Sequence, residues 1–349
     1  MENIKFDLRD IAIVPTIVSD IKSRKECNTF TESKWLPLMA APMDTVVCNK
    51  NINTYINNGI IPCMPRGEYF KYANRSMVFQ SFGLNEIEED LKTFGDNTLK
   101  RTTDRPQFWK FNYVLIDISN GHMNRLVIAI KEMKRIFPEI KVMAGNVAHP
   151  FTYKNLAMAG VDFVRCSVGS GAGCTTAANV AINYPLGSLI SECRKIKDDN
   201  GYEAKIVADG GMQGYDDIIK SLALGADYVM IGSLFNKAMQ SSGSNHLWGI
   251  KLNFHVAKTL WKWGFPVKKK YRGMSTKAVQ RKWGKTKLVT AEGITKYQKI
   301  EYNLTQWVEN FEDYLKSNMS YCGTKTLNDF IGKVDWVFIT LNALKRFQK

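Results

Sequence analysis

Short apolar runs recur along the first two thirds of the chain, mostly ending in Gly, Pro, Asn or Asp. They read LPLMAAPM (36–43), GIIPCMP (59–65), MVFQSFG (77–83), YVLIDISNG (113–121), KVMAGNV (141–147), FVRCSVGSG (163–171), KIVADGG (205–211) and YVMIGS (228–233). Length and β-branched content predict strands, and continuous apolarity is the pattern of a strand covered on both faces. Between the later runs the period changes. In HMNRLVIAIKEMKRIF (122–137), Leu126, Ile130, Met133 and Phe137 recur at three- to four-residue intervals and share one helix face. PFTYKNLAMAG (150–160), LGSLISECRKIKDD (186–199) and YDDIIKSLALG (215–225) behave alike, and two of them end in the Gly common after a helix. Strands alternating with helices imply right-handed parallel crossovers. Eight of them predict an α/β fold, a closed (β/α)₈ TIM barrel with its function at the C-terminal strand ends. An open doubly wound sheet is the other arrangement that alternation alone permits.

After residue 233 the regularity stops. Residues 234–270 read as a longer connection holding Trp248, Trp261, Trp263 and the run Lys268–Lys269–Lys270. YRGMS (271–275), a Lys/Arg-rich stretch to Lys287, TAEG (290–293) and closing helical patterns follow. No linker-like Gly/Ser/Pro stretch intervenes. Residues 1–349 therefore read as a single barrel domain, with 234–293 as a barrel-top excursion and flap.

A hydrophobic content of 45% is enough for a substantial core, and the net charge of +15 attracts anions. Nucleic acid, a membrane surface and a phosphorylated small molecule all fit that sign. The seven cysteines form no CxxC pair and no cysteine–histidine ladder, so they carry no zinc or redox-disulfide signature and suit a reducing compartment. MENIKFDLRD lacks an apolar signal region, and no apolar run reaches the about 18 residues of a membrane span. A cytoplasmic protein without a membrane partner is expected.

The chemistry gathers at strand ends. In VGSGAGCTT (168–176) three glycines surround Cys174. Glycines let backbone groups converge on a ligand or ion, and a thiol exposed there becomes a nucleophile when a base is near. Taken bare, a cysteine in such a loop is more often a structural residue. ADGG (208–211) and MIGS (230–233) follow the seventh and eighth runs, where barrels commonly cradle a phosphate on backbone amides. Two tight turns are the plain alternative. With a phosphate there, Asp209 would face ribose hydroxyls.

GSGAGCTT resembles the catalytic loop of the inosine monophosphate dehydrogenase and GMP reductase family, whose pattern is GPGSxCTTR. Other matches stand around it in order: FDLRDIAIVP (6–15), KSR (22–24), PMDTV (42–46), IDISNGH (116–122), MAGNV (143–147), ADGG, MIGS, YRGMS, AEG (291–293) and SYCGTKTL (320–327). The resemblance implies a (β/α)₈ barrel in which Cys174 attacks C2 of a purine nucleoside monophosphate. Thr176 and Glu292 would handle the proton. Asp209, Gly210, Gly211, Gly232, Ser233 and Tyr271 would hold ribose and phosphate, with Met43, Gly273, Met274 and Ser275 against the base. Asp117, Ile118, Ser119, Val168, Gly169 and Arg66 would line the cofactor side, and Ser23 and Arg24 would reach the dinucleotide, from a neighbouring subunit if the family's homo-tetramer forms. Carbonyls of Gly169, Gly171 and Cys174 would suit K⁺.

Both branches of the family form a covalent purine–cysteine adduct. The reductase expels ammonia from GMP and takes hydride from NADPH to give IMP; the dehydrogenase gives hydride to NAD and hydrolyses the adduct with a mobile Arg-Tyr flap. Residues 275–291 contain no Arg-Tyr, although Arg281 offers a substitute, and only about a dozen residues separate the second and third runs, so no CBS module is inserted there. The reductase is expected, with a dehydrogenase lacking CBS domains as the alternative. Departures from the pattern are Ala172 for Ser, Ser170 for Pro, Gly173 for a larger residue, Ala177 for Arg, Pro65 for His, and Asn236 and Lys237 for small residues. Lys237 either supplies phosphate charge or faces solvent. His122 is a possible substrate or cofactor contact; the other three histidines read as surface or core. Two readings from other classes stand beside the enzyme: a non-catalytic purine-nucleotide-binding barrel, and a nucleic-acid binder built on residues 248–287. Retention of Cys174, Thr176 and Glu292 disfavours the first, and a cation-rich flap over an anionic substrate accounts for the second without nucleic acid.

Overall fold

The computed structural model describes residues 4–70, 77–95, 107–282 and 290–347. Each apolar run contains one strand of a closed parallel barrel: β1 (Leu38–Ala40), β2 (Ile61–Met64), β3 (Phe79–Phe82), β4 (Tyr113–Asp117), β5 (Lys141–Val147), β6 (Phe163–Cys166), β7 (Lys205–Asp209) and β8 (Tyr228–Ile231). β8 returns to pair with β1 through Leu38↔Val229 and Met39↔Met230, so the open-sheet alternative falls. Every residue of β1, β2, β3, β6 and β8 is buried, which explains their mainly apolar character, broken only by Gln80 and Ser81 in β3 and Arg165 in β6: one face meets the barrel interior and the other the surrounding helices. Residues 65–78 join β2 to β3 and leave no room for an inserted domain.

The predicted helices form between the strands. Helix Asn124–Ile136 buries Leu126, Ala129, Ile130 and Met133, the spaced apolar set. Helix Leu186–Asn200 ends on Gly201 in the left-handed region. The interior is closed at its N-terminal end by aromatic rings from the first residues of four strands. Phe79 meets Tyr113 at 5.3 Å and Phe163 at 5.2 Å between centroids, and Phe163 meets Tyr228 at 5.8 Å. With the bottom plugged, a ligand has access only at the C-terminal end.

The segment read as a long connection has structure of its own. β9 (Asn245–Leu247), β10 (Ile250–Leu252), β11 (Lys268–Arg272) and β12 (Thr295–Lys299) form an antiparallel sheet in the order β10-β9-β11-β12, with helix Phe254–Lys262 beside it. Met239, Ala257, Val267 and Ile300 make a small separate core. Lysines obscured these strands in the sequence: in KKKYR only Lys269 and Tyr271 turn inward. Part of the basic stretch before Glu292, residues 283–289, lies outside the described residues. The excursion is fastened to the barrel by Arg272, which pairs with Asp44 just beyond β1, and by Asn236, whose side chain donates to the Thr45 and Lys270 carbonyls at 2.8 and 3.1 Å. Asn236 is thus a buried strut, which accounts for its replacing a small residue. Among the described residues no helix is long and apolar enough to cross a membrane.

Lys269 is almost fully buried and donates to the Ser241 carbonyl at 2.6 Å. Burial pushes its ammonium down to about 7. A folded-state value below the unfolded one means that the unfolded chain binds more protons between about pH 7 and 10.5, so stability gains from rising pH across that window. K269M removes this contribution. The stability of K269M relative to the parent, measured by urea titration, should be greatest below pH 7 and decline by up to about 1.4 kcal/mol per pH unit above it; parallel pH profiles would refute the assignment.

Candidate active site

A cavity of about 650 Å³ opens at the C-terminal end of the barrel. Every residue assigned a catalytic, substrate or cofactor role by the resemblance lines it except Ser23 and Arg24; His122, Lys237 and Arg281, weighed beside them, do not. The loop after β6 carries Cys174, half-exposed, with Sγ 3.1 Å from the Thr176 hydroxyl. That hydroxyl donates in a short hydrogen bond to the Glu292 carboxylate. Since the Thr176 proton points to Glu292, its oxygen is left to accept from the thiol, and a proton can pass from sulfur through threonine to the carboxylate or back. Four of the other thiols are less suited to attack. Burial pushes Cys27, Cys63, Cys193 and Cys322 up, Cys322 to about 11. All seven cysteines are free.

Backbone pairing sets this geometry. Thr175 N–H donates to the Glu292 carbonyl at 2.7 Å, Ile294 N–H to that of Gly173 at 3.0 Å, and Gly273 N–H to that of Ile294 at 2.9 Å. Gly173 explains itself here: a Cβ would lie 2.9 Å from the Tyr271 ring and 3.2 Å from Gly273 Cα. The departure from a larger residue goes with the close approach of these three segments.

Asp209 ends β7 and accepts from Asn146 Nδ2 at 2.6 Å and from Arg165 at 2.8 and 3.2 Å. Gly210 and Gly211 follow in the left-handed region, folded against Ser170 and Gly171. Across the mouth, the buried Tyr271 hydroxyl lies beside Gly232 and 3.6 Å from Met43 Sδ. Burial pushes this phenol well up, so it remains a neutral donor. Ser233 donates its hydroxyl to Gln298 Oε1 at 2.9 Å. On the opposite rim lie Asp117, Ile118, Ser119 and Arg66, whose guanidinium pairs with Glu86 at 3.3 Å and fills the space any side chain at Gly83 would need.

Some expectations are not met within one chain. Ser23 caps a short turn by accepting from Lys25 N–H, and Arg24 pairs with Asp313 at 3.4 Å; their segment packs on helix Leu304–Tyr321, away from the cavity. His122 does not line the cavity either. One ring nitrogen accepts from Ala148 N–H at 3.0 Å and the other meets the Thr152 hydroxyl at 2.9 Å, so the ring pins two loops. Lys237 neither lines the cavity nor faces only solvent: it pairs with Glu301 at 3.0 Å.

Arg165 was missed. It stands in β6, is only 6% exposed, and links Asp117 at 2.5 Å to Asp209 at 2.8 Å. Burial lowers its proton affinity, but the two carboxylates outweigh that and raise it above the ordinary arginine value. The signal was present in FVRCSV, where one charge interrupts an apolar strand; a buried cation of this kind requires anionic partners.

A thiol–hydroxyl–carboxylate chain beside glycine turns, at the mouth of a (β/α)₈ barrel, is the kind of arrangement that enzymes with a covalent nucleophile use. A sequence model described as the IMP dehydrogenase / GMP reductase domain matches residues 109–348. The chain is 29% identical to the GMP reductases of Bacillus licheniformis and Bacillus subtilis over 352 aligned residues; with the first, the alignment covers 97% of each chain. It is 32% identical to the inosine-5'-monophosphate dehydrogenase of Chlorobaculum parvum over 232 residues, 66% of this chain and 46% of that protein. The chain belongs to the IMP dehydrogenase / GMP reductase family, and it is a purine nucleotide oxidoreductase.

Removing the Arg165 cation would leave two buried carboxylates facing each other. R165M should lose about 3–5 kcal/mol of stability, read from denaturant titration at neutral pH. A loss within a few tenths would show the triad to be energetically idle.

Proposed function

We propose that this chain is a GMP reductase-like enzyme that converts GMP, or a closely related purine nucleotide, to IMP and ammonia at the expense of NADPH. The observation that carries the reading is the Cys174–Thr176–Glu292 chain at the cavity mouth. In this scheme Cys174 loses its proton through Thr176 to Glu292, and Sγ bonds to purine C2. The same pair returns the proton to the departing amino group, so the C2–N bond breaks and ammonia leaves a purine–cysteine thioimidate. The reduced nicotinamide, when bound, supplies hydride to C2. The C–S bond then breaks and Cys174 is restored as thiolate.

The remaining roles follow the same reading. Asp209, aligned by Asn146 and Arg165, accepts from the ribose hydroxyls. Gly211, Gly232, Ser233 and Tyr271 face the phosphate, and Met43, Met274 and Ser275 the base. Asp117, Ile118 and Ser119, with Arg66 and Val168, fit a nicotinamide dinucleotide: the rim combines hydrogen-bonding groups, apolar surface and cations. Carbonyls of Gly169, Gly171 and Cys174 would supply neutral oxygens of the kind that suit K⁺ rather than a divalent ion. Ser23 and Arg24 would act across a subunit boundary of a homo-tetramer. A single-domain cytoplasmic enzyme without a nucleic-acid partner completes the proposal.

The dehydrogenase alternative needs a group to activate water. Arg281, its candidate, is exposed on helix Lys277–Lys282 and does not line the cavity, which favours the reductase.

Purified protein given GMP and NADPH should consume the absorbance of the reduced nicotinamide. Formation of that absorbance from IMP and NAD would reverse the assignment. Activity in C174S equal to the parent's would end it. E292Q should lower kcat by about 10²–10⁴ with a smaller effect on KM.

A further inference from the structure

The phosphate end of the cavity has an electrostatic gap. Gly211, Gly232, Ser233 and Tyr271 line it, and none carries charge. The cavity's arginines are already matched: Arg165 by Asp117 and Asp209, Arg66 by Glu86, and Arg125 by Glu88. Arg66 and Arg125 also sit with the residues after β3 and β4, across the barrel from β7 and β8. Ala172 brings no hydroxyl, and the Ser233 hydroxyl is engaged by Gln298. A phosphate dianion so placed would meet backbone amides and one phenol.

Lys296 stands beside this gap. Its β12 register partner is Tyr271, so the two side chains lie next to each other on one face of the sheet. Its Nζ is 5.4 Å from the centroid of the Tyr271 ring, whose hydroxyl reaches the Gly232 turn. Two residues along the same face, Gln298 bonds Ser233 and, at 2.9 Å, Asn236 Oδ1, so this face of β12 overlies the Gly232–Ser233 turn. Lys296 is half-buried, and its only partner identified among the described residues is the aromatic ring. Burial, and then the charge of Lys237, hold its ammonium below the usual lysine value. A cation left near another cation, without a carboxylate, is suited to an anionic ligand.

We propose that Lys296 is the counter-charge for the 5′-phosphate of the bound purine nucleotide, reaching from the Tyr271 ring to the Gly232–Ser233 turn. It makes the site selective for nucleotides over nucleosides. The inference rests on the nucleotide reading above and adds a residue to it.

The test uses the full-length protein and four forms of it: parent, K296M, K296R and K299M. Lys299 lies on the opposite, exposed face of β12, so K299M removes the same charge without touching the site. K296M should raise the KM for GMP about tenfold to a hundredfold, with kcat within about twofold. K296R should recover most of the loss, and K299M should match the parent. Unchanged KM in K296M, or an equal rise in K299M, would overturn the proposal. Should the parent turn over neither GMP with NADPH nor IMP with NAD, the functional reading fails. Calorimetric binding of GMP and guanosine then decides the inference separately. A preference for GMP over guanosine that collapses in K296M upholds it, and a preference that persists refutes it.

Discussion

The site depends on backbone hydrogen bonds that join three distant stretches of chain. Cys174 lies on a loop with almost no side chains, so packing alone cannot hold it. The Gly171 carbonyl accepts from Cys174 N–H at 2.8 Å, the Glu292 carbonyl from Thr175 N–H, and the Gly173 carbonyl from Ile294 N–H. These bonds bring Thr176 and Glu292, 116 positions apart, within reach of each other. They require bare backbone, because a Cβ on Gly173 or Gly273 would enter the neighbouring segment. The excursion between β8 and the C-terminal helices is therefore part of the geometry of the candidate site. It supplies the carboxylate, and Asp44, Thr45 and Asn236 hold its base in place.

How much of this was readable in advance follows from which residues write a periodic signal. The eight strands were legible because a strand covered on both faces is mostly apolar, as 38–40 and 228–231 are. The mouth of the cavity was legible because glycine turns at strand ends, and the motifs that recur around them, mark where backbone has to approach a ligand. The β9–β12 sheet was not. Its strands are three to five residues long, and in β11 lysines fill both faces, so no period stood out. Arg165 was lost for a related reason. A charge inside an apolar strand looks like noise until its partners are known, and Asp117 and Asp209 lie 48 and 44 positions away. Ser23, Arg24 and His122 show the converse: matching a motif identified residues that, within one chain, cap, pin or pair rather than line the cavity.

Charge is distributed unevenly, and the unevenness has a consequence for an anionic substrate. Residues 228–291 contain thirteen Lys and Arg and no Asp or Glu, close to the whole net charge of +15. This segment starts at β8 and ends next to Glu292, so the basic excess belongs to the excursion that follows the barrel's last strand. Arg165, by contrast, sits under the cavity with two carboxylates, and that triad adds a net negative charge of one to the floor. In the reading proposed above, this uneven charge would draw a phosphate toward the basic segment and away from the Asp117–Arg165–Asp209 triad.

Steering and holding are different tasks. The field of exposed lysines such as Lys251, Lys258 and Lys262 acts at long range, and salt at physiological strength screens it within about 8 Å. Such charges raise the rate of encounter far more than the lifetime of a complex. Retention needs a contact that water and counterions do not easily replace, and the half-buried ground between Tyr271 and Gly232 is such a place. A lysine there loses some hydration in the free protein, as its lowered proton affinity indicates, and therefore gives up less when a phosphate arrives. The β12 strand that fixes Gln298 on Ser233 begins three residues after Glu292, so in the proposed reading proton transfer at the purine and anchorage of the phosphate would depend on neighbouring residues of one segment.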